Sequence, residues 1–349
     1  VELLWPRILI SNEIFFAHQS FKWNNSAKGN AGVNVVIIGI SNVSNDKKSL
    51  YYNNQVQEVK KINSYLLPAN INIIKKRNNP LSFNYLMTKG CYPTDGGGLL
   101  LDSSNIDKYI NSDLNKFIRP FVGTTQFLKG ERKWCLYFND ENFRKVREFD
   151  LVKKRINIVI SSRLNSKKLN TNKLADTPHK FEFDSNQDRT GIIIPCISSE
   201  RRDYLPVGFV DSQTIVYGTA QVLYTDELFM LGVLSSKIHS IWMRITCGRL
   251  EMRLNYSSTL CFNTFPFPTI SKQRKEELTQ STLKIIDERL KHSEKTMAQL
   301  YDPDKMPEGL KEAHHQNDLA VERCYRSTPF SSDEERLEYL FKLYEKMIQ

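Results

Sequence analysis

The stretch CGRLEMRLNYSS (247–258) is where the pattern of the chain changes. Ahead of it, Leu228, Leu231, Leu234, Ile238, Ile241, Trp242 and Ile245 recur at spacings of three and four, which predicts one apolar helical face from about Asp226 to Thr246. Gly248 is suited to end that helix, because glycine takes a positive φ without a Cβ clash. Beyond it, Leu250, Met252 and Leu254 alternate with Arg249, Glu251, Arg253 and Asn255, which predicts a strand with an apolar back and a charged front. On such a strand Glu251 and Arg253 stand side by side. In a major groove arginine donates two hydrogen bonds to guanine O6 and N7, and glutamate accepts from cytosine N4, so the pair is chemically able to read one G·C pair. The alternative is a solvated strand face carrying a weak surface ion pair.

Working outward, the 349 residues are enough for two or three domains, and a hydrophobic fraction of 40% excludes a disordered chain. The net charge of +10 is uneven. From Ser271 to the end there are 14 Lys and Arg against 16 Asp and Glu, leaving 35 against 23 in residues 1–270. The first 270 residues are therefore the expected polyanion-binding part. The six cysteines show no C-x-x-C or Cys/His ligand spacing and read as reduced, mostly core residues of a cytosolic protein. Neither a signal peptide nor a long uninterrupted apolar run occurs, which argues against membrane insertion. The chain starts on a valine, with a strand-rich pattern close behind, and is expected to be part of something longer.

In chain order, Glu13–Phe21 and Val33–Ser41 (VNVVIIGIS) read as strands, the second apolar enough to be covered on both faces. Phe21 and Trp23 sit where the first strand gives way to its loop, as edge packing or as a stacking surface for an unpaired base. Lys75, Lys76 and Arg77 form a basic cluster, and the first boundary falls between Lys75 and Gly90. TDGGG (94–98) lacks the Lys and Ser/Thr of a phosphate-binding loop and predicts a tight turn. Ser104–Arg119 reads as a capped helix, and Glu141–Arg163 as helical with a basic face. Short strands between polar turns then make Gly90–Pro268 α+β. After FPFP (265–268), three helical stretches follow, Lys272–Tyr301, Pro307–Arg326 and Asp333–Ile348, with a capping start at Ser332–Glu335. His314 and His315 are adjacent and cannot share a helix face as paired metal ligands would.

Five stretches together carry a family resemblance: FAHQSFKWNNSAKGNAGVNVVIIG (16–39), GERKWCLYFND (130–140), IPCISSERRDYLPVGF (194–209), LGVLSSKIHSIWMRITCGRLEMRLNYSSTLCFNTFPFP (231–268) and LYDPDKMPEGLKEAHHQNDLAVERCY (300–325). In this order they resemble the carboxy-terminal half of the MmeI-like enzymes, which fuse a restriction nuclease, an adenine-N6 DNA methyltransferase and a target recognition domain in one chain. The resemblance implies an α+β chain made of the last strands of a methyltransferase sheet (1–75), a DNA target recognition domain (76–268) and a helical carboxy-terminal domain (269–349). The implied setting is the bacterial cytoplasm.

What the resemblance implies for chemistry is divided. The cofactor loop and the NPPY or NPPF tetrapeptide of such methyltransferases do not occur here; the only Asn-Pro, Asn79–Pro80, is followed by Leu81. S-adenosylmethionine, and Mg2+ for the nuclease, are thus expected to belong to the parent enzyme, and this stretch is expected to be no enzyme by itself. Its expected partners are double-stranded DNA and the missing amino-terminal domains. Phe21, with Trp23 as the alternative, is implied in the pocket for the flipped adenine. Glu251 and Arg253 match the family's specificity pair, which implies reading of C on the 3′ side of the target adenine. Tyr217–Thr219 is implied at a base further upstream, and Arg249, Arg244, Arg201 and Arg202 at phosphates, with internal ion pairing as the alternative for the arginines. The carboxy-terminal helices are expected either to close around the duplex or to brace the recognition domain. A defence methyltransferase without a nuclease, and a nucleic-acid-binding or scaffold protein without sequence reading, are the competing functions.

Overall fold

In the computed structural model, residues 4–23, 33–52, 55–69, 73–104, 106–250 and 253–349 are described. The fold is α+β, and its described strands form four sheets. The first contains Val33–Asn42, Asn12–Trp23, Lys48–Tyr52 and Gln55–Val59 in that spatial order. Asn12–Trp23 pairs antiparallel with Val33–Asn42 and parallel with Lys48–Tyr52. The apolar strand Val33–Asn42 is therefore an edge, not the doubly covered strand its composition predicts. Its Val36, Ile37 and Ile40 are 47%, 40% and 44% exposed.

Two cores organise the rest. One lobe, from Cys91 to Phe181, wraps a sheet of Ile215–Val216, Ile118–Val122, Trp134–Leu136 and Leu100–Leu101. Here the expected helix over Ser104–Arg119 is replaced by a four-residue helix, Asp107–Ile110, and a 3-10 turn at Asn115–Phe117 before the chain turns extended. The Ser112 hydroxyl accepts from the Leu114 amide, a local bond that competes with helix continuation. Glu141–Arg163 is two helices, Asp140–Val146 and Asp150–Leu164. The tight turn at 94–98 is present: Gly96 and Gly97 take left-handed φ of 59° and 87°, and the Asp95 carboxylate accepts from the Leu99 and Leu100 amides.

The larger core is shared. A sheet of Gly208–Val210, Gly191–Pro195, Ala220–Leu223 and Met87–Lys89 buries Ile192, Ile194 and Leu223 against the helices Leu228–Leu234 and Lys237–Thr246 and the carboxy-terminal helix Asp333–Ile348. The single helix expected from Asp226 to Thr246 breaks at Ser235–Ser236, where the Ser236 hydroxyl caps the second segment by accepting from His239 N. Trp242 is fully buried, with Phe341 and Tyr344 at centroid distances of 5.5 and 5.8 Å. The carboxy-terminal helices accordingly brace the neighbouring sheet. Glu308–Tyr325 and Asp333–Ile348 form as their periodicity predicts, whereas the stretch expected from Lys272 to Tyr301 is two helices, Lys272–Leu290 and Met297–Leu300, the second capped by the Thr296 side chain. The Ser332 hydroxyl accepts from Glu335 N as the capping pattern requires.

A chain of buried polar groups crosses this seam. Tyr204 donates to Asp318 at 2.8 Å, and the other Asp318 oxygen accepts from the Lys237 amide at 2.7 Å. His314 stacks on Tyr204 and bonds the Tyr301 hydroxyl at 2.7 Å. Burial raises the Asp318 carboxyl to about 7.

Candidate nucleic-acid interface

The helix Lys237–Thr246 ends without the left-handed glycine its sequence suggests. Cys247 is already extended, with φ −83° and ψ 150°, and Gly248 opens a strand. Nor does one strand run from Arg249 to Asn255. Gly248–Leu250 pairs antiparallel with Arg253–Asn255, with Leu250 opposite Arg253, so the chain folds back on itself. Alternation alone does not separate a strand from a short hairpin, because both sides of a turn keep the same period. Arg253 and Asn255 are exposed on either side of Leu254, which is buried. Glu251 lies outside the described residues, so the pair is carried by sequence spacing and by the placement of Arg253.

Buried groups seat this hairpin. The Cys247 sulfur accepts from the Ser257 amide at 3.4 Å, and His239 bonds the Tyr256 hydroxyl at 3.1 Å. His239 is wholly buried, and that burial lowers its pKa to about 3, so it stays neutral. The third strand of the sheet, Ile197–Ser198, pairs with Arg253–Asn255, and Tyr256 N donates to Cys196 O at 2.7 Å.

The same short segment reaches the Tyr217–Thr219 turn, because Cys196 N donates to Thr219 O at 3.2 Å. Hairpin and turn are thus neighbours through the backbone of one residue. Tyr92 donates to Gly218 O at 2.7 Å, and its ring lies where a Cβ on residue 218 would sit, at 2.2 Å, so glycine is required by close approach. Thr124 N donates to the Thr219 hydroxyl at 3.1 Å, while the Thr124 hydroxyl donates to Thr219 O. Thr219 is exposed, and with one lone pair engaged its hydroxyl proton is left for an outside acceptor. The Tyr217 ring is half-buried, 5.0 Å from Phe121 and 5.8 Å from Tyr92.

The four arginines divide. Arg244 donates to Glu200 O at 2.8 Å and Arg202 O at 2.5 Å, turning its fork inward to hold the loop 200–202. Arg202 is half-buried and donates to the Ser198 hydroxyl at 3.3 Å. Burial lowers the pKa of both, and guanidinium remains charged regardless. Arg201 is exposed and ion-paired to Asp304 at 2.5 Å. Arg249 is exposed on the hairpin. Internal bonding therefore claims Arg244 directly, and Arg249 is the arginine of the four placed openly beside Arg253.

Phe21 and Trp23 lie at the end of the first sheet with centroids 6.1 Å apart, Phe21 half-buried and Trp23 exposed. His18 stands 6.1 Å from Phe21 and stacks on Tyr51 at 4.3 Å, which extends the aromatic row beyond the two rings read from sequence. The link to the rest of the chain is stapled down: Asn263 donates to Arg77 O and Asn78 O, and Ser82 donates to Phe265 O. Sequence reasoning missed Tyr92, Thr124 and Cys196, whose roles come from long-range pairing.

Comparison with known proteins bears on the whole chain. The family model described as MmeI, target recognition domain, matches residues 68–269; MmeI, C-terminal domain, matches 270–349; and MmeI, DNA-methyltransferase domain, matches 1–52. DNA methyltransferase A of Bacillus subtilis (strain 168) is 38% identical over 353 residues, covering 100% of this chain and 40% of that protein. A solved structure described as the type IIL restriction-modification enzyme MmeI in complex with DNA superposes with a TM-score of 0.88 at 34% identity, covering 99% of this chain and 48% of that one. The chain spans less than half the length of either.

Proposed function

Because this chain belongs to the MmeI family, from the end of the methyltransferase domain through the target recognition and C-terminal domains, we propose that it is the DNA-reading part of a fused restriction-modification enzyme that methylates adenine N6. The observation that carries this reading is the junction at Cys196, whose amide bonds the Thr219 turn and whose carbonyl bonds the strand end after Arg253. Two loops from distant parts of the sequence become one exposed surface, rich in side chains suited to base edges. Arg253 donates to guanine and Glu251 accepts from cytosine, so the base pair read is C on the 3′ side of the target adenine. Thr219 and the turn around it meet a base further upstream, Arg249 meets phosphate, and Phe21 or Trp23 replaces the stacking lost by a flipped adenine.

The chemistry of methyl transfer and cleavage is assigned to the rest of the parent, with S-adenosylmethionine and Mg2+. In this chain Asn79–Pro80 is followed by Leu81 and lies in the link held by Asn263. Among the described residues, no group of three His, Cys, Asp or Glu is placed to hold a metal ion, and no helix is long and apolar enough to cross a membrane. The exposed apolar edge at Val36, Ile37 and Ile40 is the surface on which the parent's remaining methyltransferase strands would pack.

Selection from a randomised duplex pool, at low and moderate salt, tests the reading. Enrichment of a short asymmetric site containing A followed by C is expected. Retention without enrichment, lost as salt rises, would show that the chain holds phosphates without reading bases and would refute the assignment.

A further inference from the structure

We infer that a second, sequence-independent DNA contact lies on the ledge formed by the helix Asp150–Leu164, the loop after it and the helix Leu169–Lys173, where Lys154, Lys167, Lys168 and Lys173 grip the sugar-phosphate backbone beside the bases being read. The inference rests on the DNA-reading function proposed above. Over residues 151–175 there are seven Lys and Arg and no Asp or Glu, a bias that a merely solvated face does not need. Three of the seven are engaged. Arg163 is fully buried and donates to five carbonyls, those of Pro93, Thr94, Leu174, Thr177 and Lys180. Arg155 donates to the Tyr109 hydroxyl and Gly97 O, and Lys153 pairs with Glu148. The other four lysines are exposed and have no ion-pair partner among the described residues. They are interleaved with exposed Asn157, Ser161, Ser162, Asn165 and Asn170, the neutral donors that accompany lysine at phosphates.

Two features make the ledge a built surface. Asn172 donates its side-chain amide to Arg163 O, Leu164 O and Ser166 O, which fixes the corner between the helices. Arg163 then ties the ledge to Pro93, whose neighbour Tyr92 donates to Gly218 O in the turn proposed to read a base. The two anchor residues are one peptide step apart, about 3.8 Å between Cα atoms. The inner end of the ledge and the turn are thus held by adjacent residues of one segment, an arrangement that suits contacts along one duplex. Exposed Ile158, Leu164 and Leu169 add aliphatic surface, but the absence of acidic residues across 151–175 favours a polyanion over a protein partner.

The test compares the chain with the variant K154Q/K167Q/K168Q/K173Q by fluorescence anisotropy on a labelled mixed-sequence duplex of roughly 40 base pairs, between about 50 and 200 mM KCl. The slope of log affinity against log salt is expected to fall by about 3.6, from about 0.9 per lost phosphate contact. Matching circular dichroism and urea midpoints establish that the variant is folded, and the corresponding fourfold Lys→Arg variant should keep the original slope. A slope that stays within about one of the parent's overturns the ledge, and would leave its apolar residues to a protein partner. If Arg253→Ala abolishes sequence preference while the glutamine variant keeps its slope, the ledge falls and the reading surface stands. A parent chain that binds no duplex at low salt overturns both.

Discussion

The helix ending at Thr246 and the strand Val33–Asn42 each carry a strong set of apolar residues, and they end in opposite situations. Trp242, Ile238 and Ile241 are buried among carboxy-terminal aromatics, whereas Val36, Ile37 and Ile40 remain open on an edge. Apolar patterning states that a face needs a partner; it does not say whether the partner is in the same stretch of chain. The hairpin that follows the buried helix inherits a rigid base from it. The first sheet, with Phe21 and Trp23, stands ready for a covering it does not itself contain.

Five experiments press on that contrast. Trp242→Ala should cost about 3–5 kcal/mol in urea unfolding, because it empties a site shared by two helical segments. A loss as small as that of a surface substitution would mean the two segments do not depend on each other. Arg253→Ala should leave the urea midpoint nearly unchanged but remove roughly 1–3 kcal/mol of discrimination at one base pair. The exchange Glu251→Lys with Arg253→Asp should turn the preference from C toward G, and competition binding that still favours C would reject the pair.

The buried seam around Asp318 should be pH-sensitive. Asp318 has its carboxyl raised to about 7 in the folded chain against an ordinary 3.8, so from about pH 4 the unfolded chain ionises while the folded one keeps its proton. Stability should therefore decline as pH rises from about 4 to about 7 and level off above, with Asp318→Asn gaining on the parent over that window. Urea midpoints at pH 5 and pH 8 measure it; an unchanged difference between the two proteins would place the ionised form in the fold at both pH values. The smallest effect belongs to the open edge. Val36→Thr with Ile40→Thr should change stability by no more than about 0.5 kcal/mol, since both residues are exposed, while reducing self-association in sedimentation.

Some of this was legible in advance. The cap at Ser332, the tight turn at TDGGG and the last two helices follow from neighbours a few residues apart and formed as read, while the stretch Lys272–Tyr301 broke into Lys272–Leu290 and Met297–Leu300. The helix over Ser104–Arg119 and the continuous strand through Arg249–Asn255 did not, because helix propensity and alternation are satisfied equally well by shorter elements whose ends are set by other parts of the fold. The candidate site divides in the same way: Arg253 and Thr219 were visible as residue types, but their adjacency through Cys196 was not, and neither was the inward turn of Arg244.

The amino-acid sequence by itself determined the chemistry this protein carries: its basic first 270 residues, the Glu-x-Arg spacing, the late helices and the family to which they belong. Only the tertiary structure decided which of those charges face outward. A guanidinium donates equally well to a backbone carbonyl or to a phosphate, and the choice between them is made by long-range pairings that place a carbonyl within reach of Arg244 and Arg163 while keeping Arg253, Arg249 and the ledge lysines at the surface.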